Sequence, residues 1–136
     1  MKYIEAPDVQ QKVNSVIKVL NLAHIRPERI ACFRSRGTST RGVIARCHAL
    51  SKVMQLGLKT DAFYSIEVIS ERFDRMSEEE KTKTVIHELM HIPKSFGGGF
   101  RHHDYVCRKE VENMYRQYRK YSLPDSNIFP STNKNI

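Results

Sequence analysis

Residues 85–93 read Val-Ile-His-Glu-Leu-Met-His-Ile-Pro and contain the pattern H-E-x-x-H within an apolar run that favours a helix. His87 and His91 are four residues apart, a little over one helical turn, so both imidazoles leave the same face and can bind one metal ion. Glu88 projects in a different direction, from which its carboxylate can accept a proton from a water held by that metal. The stretch therefore predicts the metal site of a hydrolase. The alternative is an amphipathic helix with two incidental histidines.

The start and the end of this helix are both marked in the sequence. Residues 77–80 read Ser-Glu-Glu-Glu, which is a capping box with Ser77 as the N-cap and Glu80 placed to return the hydrogen bond. Acidic residues in a first turn also interact favourably with the positive end of the helix dipole. Pro93 disfavours further helix. We therefore predict a motif helix that begins after Ser77 and ends by Pro93.

A third metal ligand is expected downstream of this helix. A catalytic zinc ion usually has three protein ligands and one open position for water. Residues 94–100 contain three consecutive glycines, which permit the backbone angles needed to reverse the chain. The next polar cluster, residues 101–104, reads Arg-His-His-Asp. This cluster is therefore predicted to supply the third ligand.

The hydrophobic pattern that follows favours one of the two histidines. A C-terminal helix is predicted with an inward stripe made of Cys107, Val111, Met114 and Tyr118. Projecting that stripe back by about 100° per residue puts His103 on its edge and His102 well off it. His103 is therefore the predicted third ligand. His102 and Glu110 remain alternatives, and Asp104 is either a helix N-terminal acid or a group that orients a ligand histidine.

Hydrophobic spacing predicts the remaining elements. The expected elements are a helix over residues 8–23, strands over Ile30–Arg36 and 43–48, a short helix or extended connection over 49–58, and a strand over 62–69. The turn residues of 37–42 make the first two strands a predicted hairpin. Glu71 and Asp74 fall in the connection before the motif helix, and solvated connector residues are the favoured interpretation for both.

The length and the net charge of the chain limit its domain organisation and its partners. The chain has 136 residues and is predicted to form one domain over 1–121, followed by a polar extended or disordered tail over 122–136. Its net charge of +8 favours acidic partners. The predicted hairpin carries Arg34, Arg36, Arg41 and Arg46. This cluster is either a solvated strand face or a surface for weak nucleic-acid contact.

Cysteine usage and hydropathy predict the compartment. The three cysteines, Cys32, Cys47 and Cys107, are far apart and form no C-x-x-C pair, which favours a reduced setting and argues against a cysteine-built zinc site. No apolar run is long enough to span a membrane, and the first residues lack the apolar core of a signal peptide. We therefore expect a cytoplasmic protein without membrane contact.

Three segments together resemble a known family. Residues 64–68 (Tyr-Ser-Ile-Glu-Val), the stretch 87–93 and the His-His-Asp of 102–104 are similar to the predicted zinc metallopeptidases of archaea, bacteria and their viruses. They resemble the minimal zincins of the SprT-like type more distantly. The resemblance covers residues 30–118, and H-E-x-x-H-I-P is its most specific part.

The resemblance implies an α+β minimal zincin, in which a small, mostly antiparallel sheet packs on an active-site helix and flanking helices. It implies one Zn²⁺ per chain, held by His87, His91 and the downstream histidine at 102 or 103, with Glu88 as the catalytic glutamate. It also implies that an edge strand, expected over 62–69, lines the cleft and pairs with an extended peptide substrate.

Two functions from different classes remain. The first is a zinc-dependent peptidase that hydrolyses peptide bonds by a zinc-activated water with Glu88 as the general base. The second is a basic zinc-containing module that binds nucleic acid or a protein and has no peptidase activity. Glu88 favours the peptidase, because a structural zinc site prefers four protein ligands and does not need a carboxylate at that position.

Overall fold

Four strands and five helices make up the part of the chain that the computed structural model describes, which is residues 1–38, 41–101 and 107–127, with side chains up to Ser122. The strands are β1 (Lys2–Glu5), β2 (Ile30–Arg36), β3 (Ala45–Ala49) and β4 (Tyr64–Ile69). The helices are α1 (Pro7–Val19), α2 (Lys52–Leu58), α3 (Ser70–Phe73), α4 (Glu78–Met90) and α5 (Arg108–Asn127), and a 3₁₀ turn covers Pro27–Arg29. None of these helices, within the described ranges, is long and apolar enough to cross a membrane.

The strands form one sheet in the order β1-β2-β4-β3. β1 pairs with β2 and β3 pairs with β4 in antiparallel ladders, whereas β2 and β4 are parallel. The motif helix α4 packs on this sheet beside α1 and α5. The predicted α+β fold, a small and mostly antiparallel sheet packed on the motif helix with flanking helices, is therefore confirmed.

Two predictions about strand neighbours are wrong. β4 lies between β2 and β3, so β2 and β3 do not form a hairpin, and the strand expected over 62–69 is not an edge strand. The physical reason is burial: five of the six residues of β4 are buried, which suits a central strand covered on both sides. β3 occupies the edge of the sheet instead.

The core lies between one face of the sheet and the helices. Side chains alternate between the faces of a strand, and the core face carries Ile30, Cys32, Tyr64, Ile66 and Val68. The helices contribute Val9, Val13, Val16 and Ile17 from α1, and Val85, Ile86 and Leu89 from α4. Burying each such side chain stabilises the fold by about 1.5–3 kcal/mol. The motif helix is therefore anchored on both sides of its histidines.

The arginines predicted to share one hairpin surface are separated. Arg34 is beside Val68 and Arg46 is beside Glu67 in the register, and neighbouring residues of a strand point to opposite faces. Arg34 is paired with Asp8 at 2.6 Å and with Asp74 at 2.9 Å. The prediction of a single arginine surface is therefore wrong, and nucleic-acid contact stays a prediction.

Most element boundaries agree with the sequence patterns. Ser77 is the N-cap of α4 and accepts a hydrogen bond from the Glu80 N–H at 3.2 Å, as the capping box predicts. Residues 49–58, for which a short helix and an extended connection are both predicted, contain a helix over Lys52–Leu58. α5 continues to Asn127, beyond the predicted start of the tail at 122. The rest of that tail lies outside the described residues.

Candidate metal centre

The two motif histidines meet at the C-terminal end of α4. The Nε2 atoms of His87 and His91 are 3.3 Å apart, and their ring centroids are 5.0 Å apart. Two nitrogen ligands of a tetrahedral zinc ion, each at about 2.0–2.1 Å from it, are separated by about 3.3 Å. The geometry of these two side chains therefore fits a single zinc ion between them. Their role as ligands stays a prediction.

A backbone carbonyl fixes the orientation of the second histidine. His91 is buried, and its Nδ1 is 2.6 Å from the carbonyl oxygen of Arg101. A carbonyl oxygen only accepts hydrogen bonds, so Nδ1 carries the proton and Nε2 keeps its lone pair for a metal. The Arg101 N–H donates in turn to the His91 carbonyl at 2.7 Å. These two bonds hold residues 91 and 101 side by side.

Glu88 is an almost fully buried carboxyl group. Its exposed fraction is 7%, and burial raises its pKa to about 7 in the metal-free protein. A group whose pKa is near neutral can take up and release protons at physiological pH, as a general base must. A bound cation would favour the ionised form and lower this pKa again. Glu88 therefore has the environment that the predicted role requires.

The predicted third ligand lies outside the described residues, as do His102 and Asp104. His103 is favoured by an inward stripe predicted to include Cys107. That part of the stripe is wrong, because Cys107 is exposed and α5 begins only at Arg108. The alternative ligand Glu110 is exposed on the first turn of α5. Within the described ranges no three His, Cys, Asp or Glu side chains converge, so Glu110 does not complete a site with the two histidines.

An open groove of about 1000 Å³ runs past the histidines and Glu88. One wall is formed by residues 42–47, which include most of the edge strand β3, and the other wall by α4 and α5. β3 pairs with β4, and its other edge has no strand partner among the residues that the structure describes. The groove therefore has the size of a ligand site and is bordered by backbone that can bind an extended chain.

Cys47 was not identified as a site residue from the sequence. It lines the groove, and the charge of the Glu88 carboxylate affects the pKa of its thiol. Burial first, and the charge of Glu88 second, raise the pKa of Cys47 to about 12. The thiol is therefore neutral at physiological pH. Only the pairing of β3 with β4 reveals this position, because no local motif marks it.

Comparison with known proteins agrees with the resemblance found in the sequence. A protein-family model described as "Putative phage metallopeptidase" matches residues 1–122. No curated protein and no solved structure gives a significant match. The resemblance to predicted metallopeptidases of bacteria and their viruses is confirmed, while the more distant likeness to SprT-like zincins stays a prediction.

Proposed function

The chain belongs to the phage metallopeptidase family, and from this premise we propose that it is a zinc-dependent peptidase with Glu88 as its general base. Membership of the family implies a metal cofactor. The choice of zinc rests on the ligand type, because two imidazoles that converge from one helical turn suit zinc in the H-E-x-x-H arrangement. The observation that carries the proposal is the 3.3 Å separation of the His87 and His91 Nε2 atoms beside the buried Glu88.

The proposed ligand set is His87, His91 and His103, with His102 as the alternative third ligand. One zinc ion per chain would be held in this way, with a fourth position open. The Arg101 carbonyl supports the set, because it is adjacent in sequence to the His102-His103 pair and already bonded to His91. Chelator competition on His102→Ala and His103→Ala identifies the third ligand as the histidine whose loss weakens zinc binding more.

The chemistry divides between the metal and Glu88. When bound, zinc would polarise the scissile carbonyl and acidify the attacking water. The Glu88 carboxylate accepts a proton from that water and then delivers it to the nitrogen of the leaving amine. Glu88 is only 7% exposed although it borders the groove, so little bulk water reaches its carboxylate. Both proton transfers are thus assigned to a single side chain.

The substrate we propose is an extended peptide bound along β3. The strand expected to play this role, 62–69, is internal, whereas β3 borders the groove and has an available edge in the described structure. A peptide added to this edge would form main-chain hydrogen bonds to β3 and pass in front of His87 and Glu88. Main-chain pairing of this kind tolerates many side chains, so the groove walls would set the sequence preference.

Zinc-loaded protein incubated with a mixed peptide pool tests the proposal, with cleavage products identified by mass spectrometry. We expect cleavage that a chelator abolishes and added zinc restores. Glu88→Gln should keep stoichiometric zinc yet cleave about 10²–10⁴-fold more slowly, because it retains the shape but loses the basic carboxylate. Glu110→Gln is the matched control and should behave as wild type. Equal cleavage by wild type and Glu88→Gln would contradict the assignment of the base.

A further inference from the structure

A buried tyrosine holds the glycine segment 97–99, which connects α4 to the residues before α5. Tyr64 is the first residue of β4 and has no exposed surface. Its hydroxyl donates a hydrogen bond to the Gly99 carbonyl at 2.9 Å and accepts one from the Gly98 N–H at 2.9 Å. Its ring also packs against Phe96, with centroids 5.0 Å apart. The segment is therefore fixed to β4, one of the two internal strands of the sheet.

A second buried side chain also holds the same segment. The Gln55 amide of α2 donates to the Gly97 carbonyl at 3.0 Å and to the Leu50 carbonyl at 2.8 Å. Gly98 has φ +105°, and a Cβ there would lie 2.5 Å from Gln55 Nε2 and 2.6 Å from the Leu50 oxygen. Only glycine fits this close approach without displacement of its neighbours. The position of the segment is thus determined by hydrogen bonds from two buried side chains, Tyr64 and Gln55.

The held segment leads directly to a metal-site residue. Arg101 follows Gly99 by two residues, and its carbonyl accepts the hydrogen bond from His91 Nδ1. We propose that Tyr64 is a positioning residue of the metal centre: its bonds to Gly98 and Gly99 hold the Arg101 carbonyl where it orients the His91 Nε2. This inference rests on the proposed function, because it takes His91 to be a zinc ligand.

The expected loss of zinc affinity without the Tyr64 hydroxyl follows from the position of Tyr64 in this series of contacts. Removing a group that hydrogen-bonds a metal-ligating histidine typically weakens metal binding by about 10–100-fold. Tyr64 acts on such a group, the Arg101 carbonyl, through two intervening residues. Loss of its hydroxyl should therefore weaken zinc binding by about tenfold, at the lower end of that range. It should also alter the geometry around the metal.

Tyr64→Phe tests the proposal, because it keeps the ring and removes both hydrogen bonds. Tyr118→Phe is the matched control, since the Tyr118 hydroxyl also makes one partly buried bond, to Ser15 at 2.8 Å between α5 and α1. Zinc dissociation constants come from chelator competition at fixed pH, and the visible spectrum of the Co²⁺-substituted protein reports ligand geometry. We expect Tyr64→Phe to weaken zinc about tenfold and change the spectrum, and Tyr118→Phe to change neither.

The possible failures are distinguishable. If Tyr64→Phe binds zinc as wild type does while His91→Ala loses it, Tyr64 has only a structural role and the proposal is overturned. If wild type itself binds no zinc, the proposed function fails, and the role of Tyr64 fails with it. Should Tyr64→Phe not fold, Gly98→Ala displaces the same segment with Tyr64 intact. A folded Gly98→Ala with wild-type zinc affinity and Co²⁺ spectrum would overturn the proposal.

Discussion

Glu88 is buried, and burial is the one cause that shifts its pKa among the residues that the structure describes. Burial is what raises its pKa to about 7. The side chain can be protonated at neutral pH before a cation arrives and is favoured as carboxylate afterwards. Such a residue reduces the stability of the metal-free fold, as perturbed ionisable groups at functional sites often do.

This burial gives a pH-dependent prediction for the metal-free protein. Glu88→Gln should be more stable than wild type at about pH 8, because glutamine has no charge to bury. The folded pKa of about 7 exceeds the ordinary value of 4.5, so the destabilisation is absent below 4.5, grows up to 7 and is constant above it. A shift of this size corresponds to about 3 kcal/mol.

Urea denaturation of the chelator-treated proteins at about pH 4 and pH 8 measures this difference. We expect the two proteins to be equally stable at the lower pH and to separate at the higher one. If wild type and Glu88→Gln had equal free energies of unfolding at both pH values, Glu88 would be hydrated in solution and its burial would not be maintained.

Among the elements, α4 is the one whose boundaries and role are most visible in the sequence. Its N-cap, its acidic first turn and its buried apolar residues are all local signals, and the structure shows each of them. The histidines are at its last turn, opposite the cap. A change at the cap should therefore alter the stability of the helix but not the geometry of the metal site.

Ser77→Ala tests this separation. Loss of the hydrogen bond from the Glu80 N–H to the Ser77 hydroxyl should cost about 1 kcal/mol in unfolding free energy. Zinc affinity, measured by chelator competition, should be unchanged because His87 and His91 lie more than two turns away. Ser95→Ala, at an exposed position, serves as the control. A substantial loss of zinc affinity in Ser77→Ala would show that the ends of α4 are not independent.

The features that sequence patterns do not predict depend on contacts between residues that are far apart in the chain. Alternation predicts β2, β3 and β4 as strands, but it contains no information on which strands are neighbours, and the prediction of β4 as an edge strand is wrong for that reason. Tyr64 is 35 residues from Gly99, and its pattern indicates a core strand residue without naming a partner. The H-E-x-x-H geometry was predictable because one helical turn determines it. The support of His91 by Arg101 was not, because it depends on how the chain reverses after Pro93.

Across the whole molecule, ion pairs and polar contacts lie on both faces of the sheet. On the helix face, Arg34 bridges Asp8 of α1 and Asp74, and its guanidinium lowers the pKa of Asp8 to about 2. On the other face, Glu67 accepts hydrogen bonds from Ser35 at 2.5 Å and His48 at 2.8 Å, which link three strands. Burial alone would raise the pKa of Glu67, but these two bonds lower it below its usual value. These contacts tie β2, β3 and β4 to one another, and β2 to α1.

The metal would add a link between α4 and the chain that follows it. Zinc held by His87, His91 and a histidine at 102 or 103 would join α4 to the residues that follow the glycine segment 97–99. A ligand that binds only the folded state stabilises it by about 2.7 kcal/mol at a free concentration of 100 times its dissociation constant. We therefore expect the melting temperature of the wild type to rise with free zinc and to fall in chelator. His91→Ala should lose this dependence, and Tyr118→Phe should retain it. A melting temperature that does not respond to zinc in the wild type would contradict a folded-state metal site.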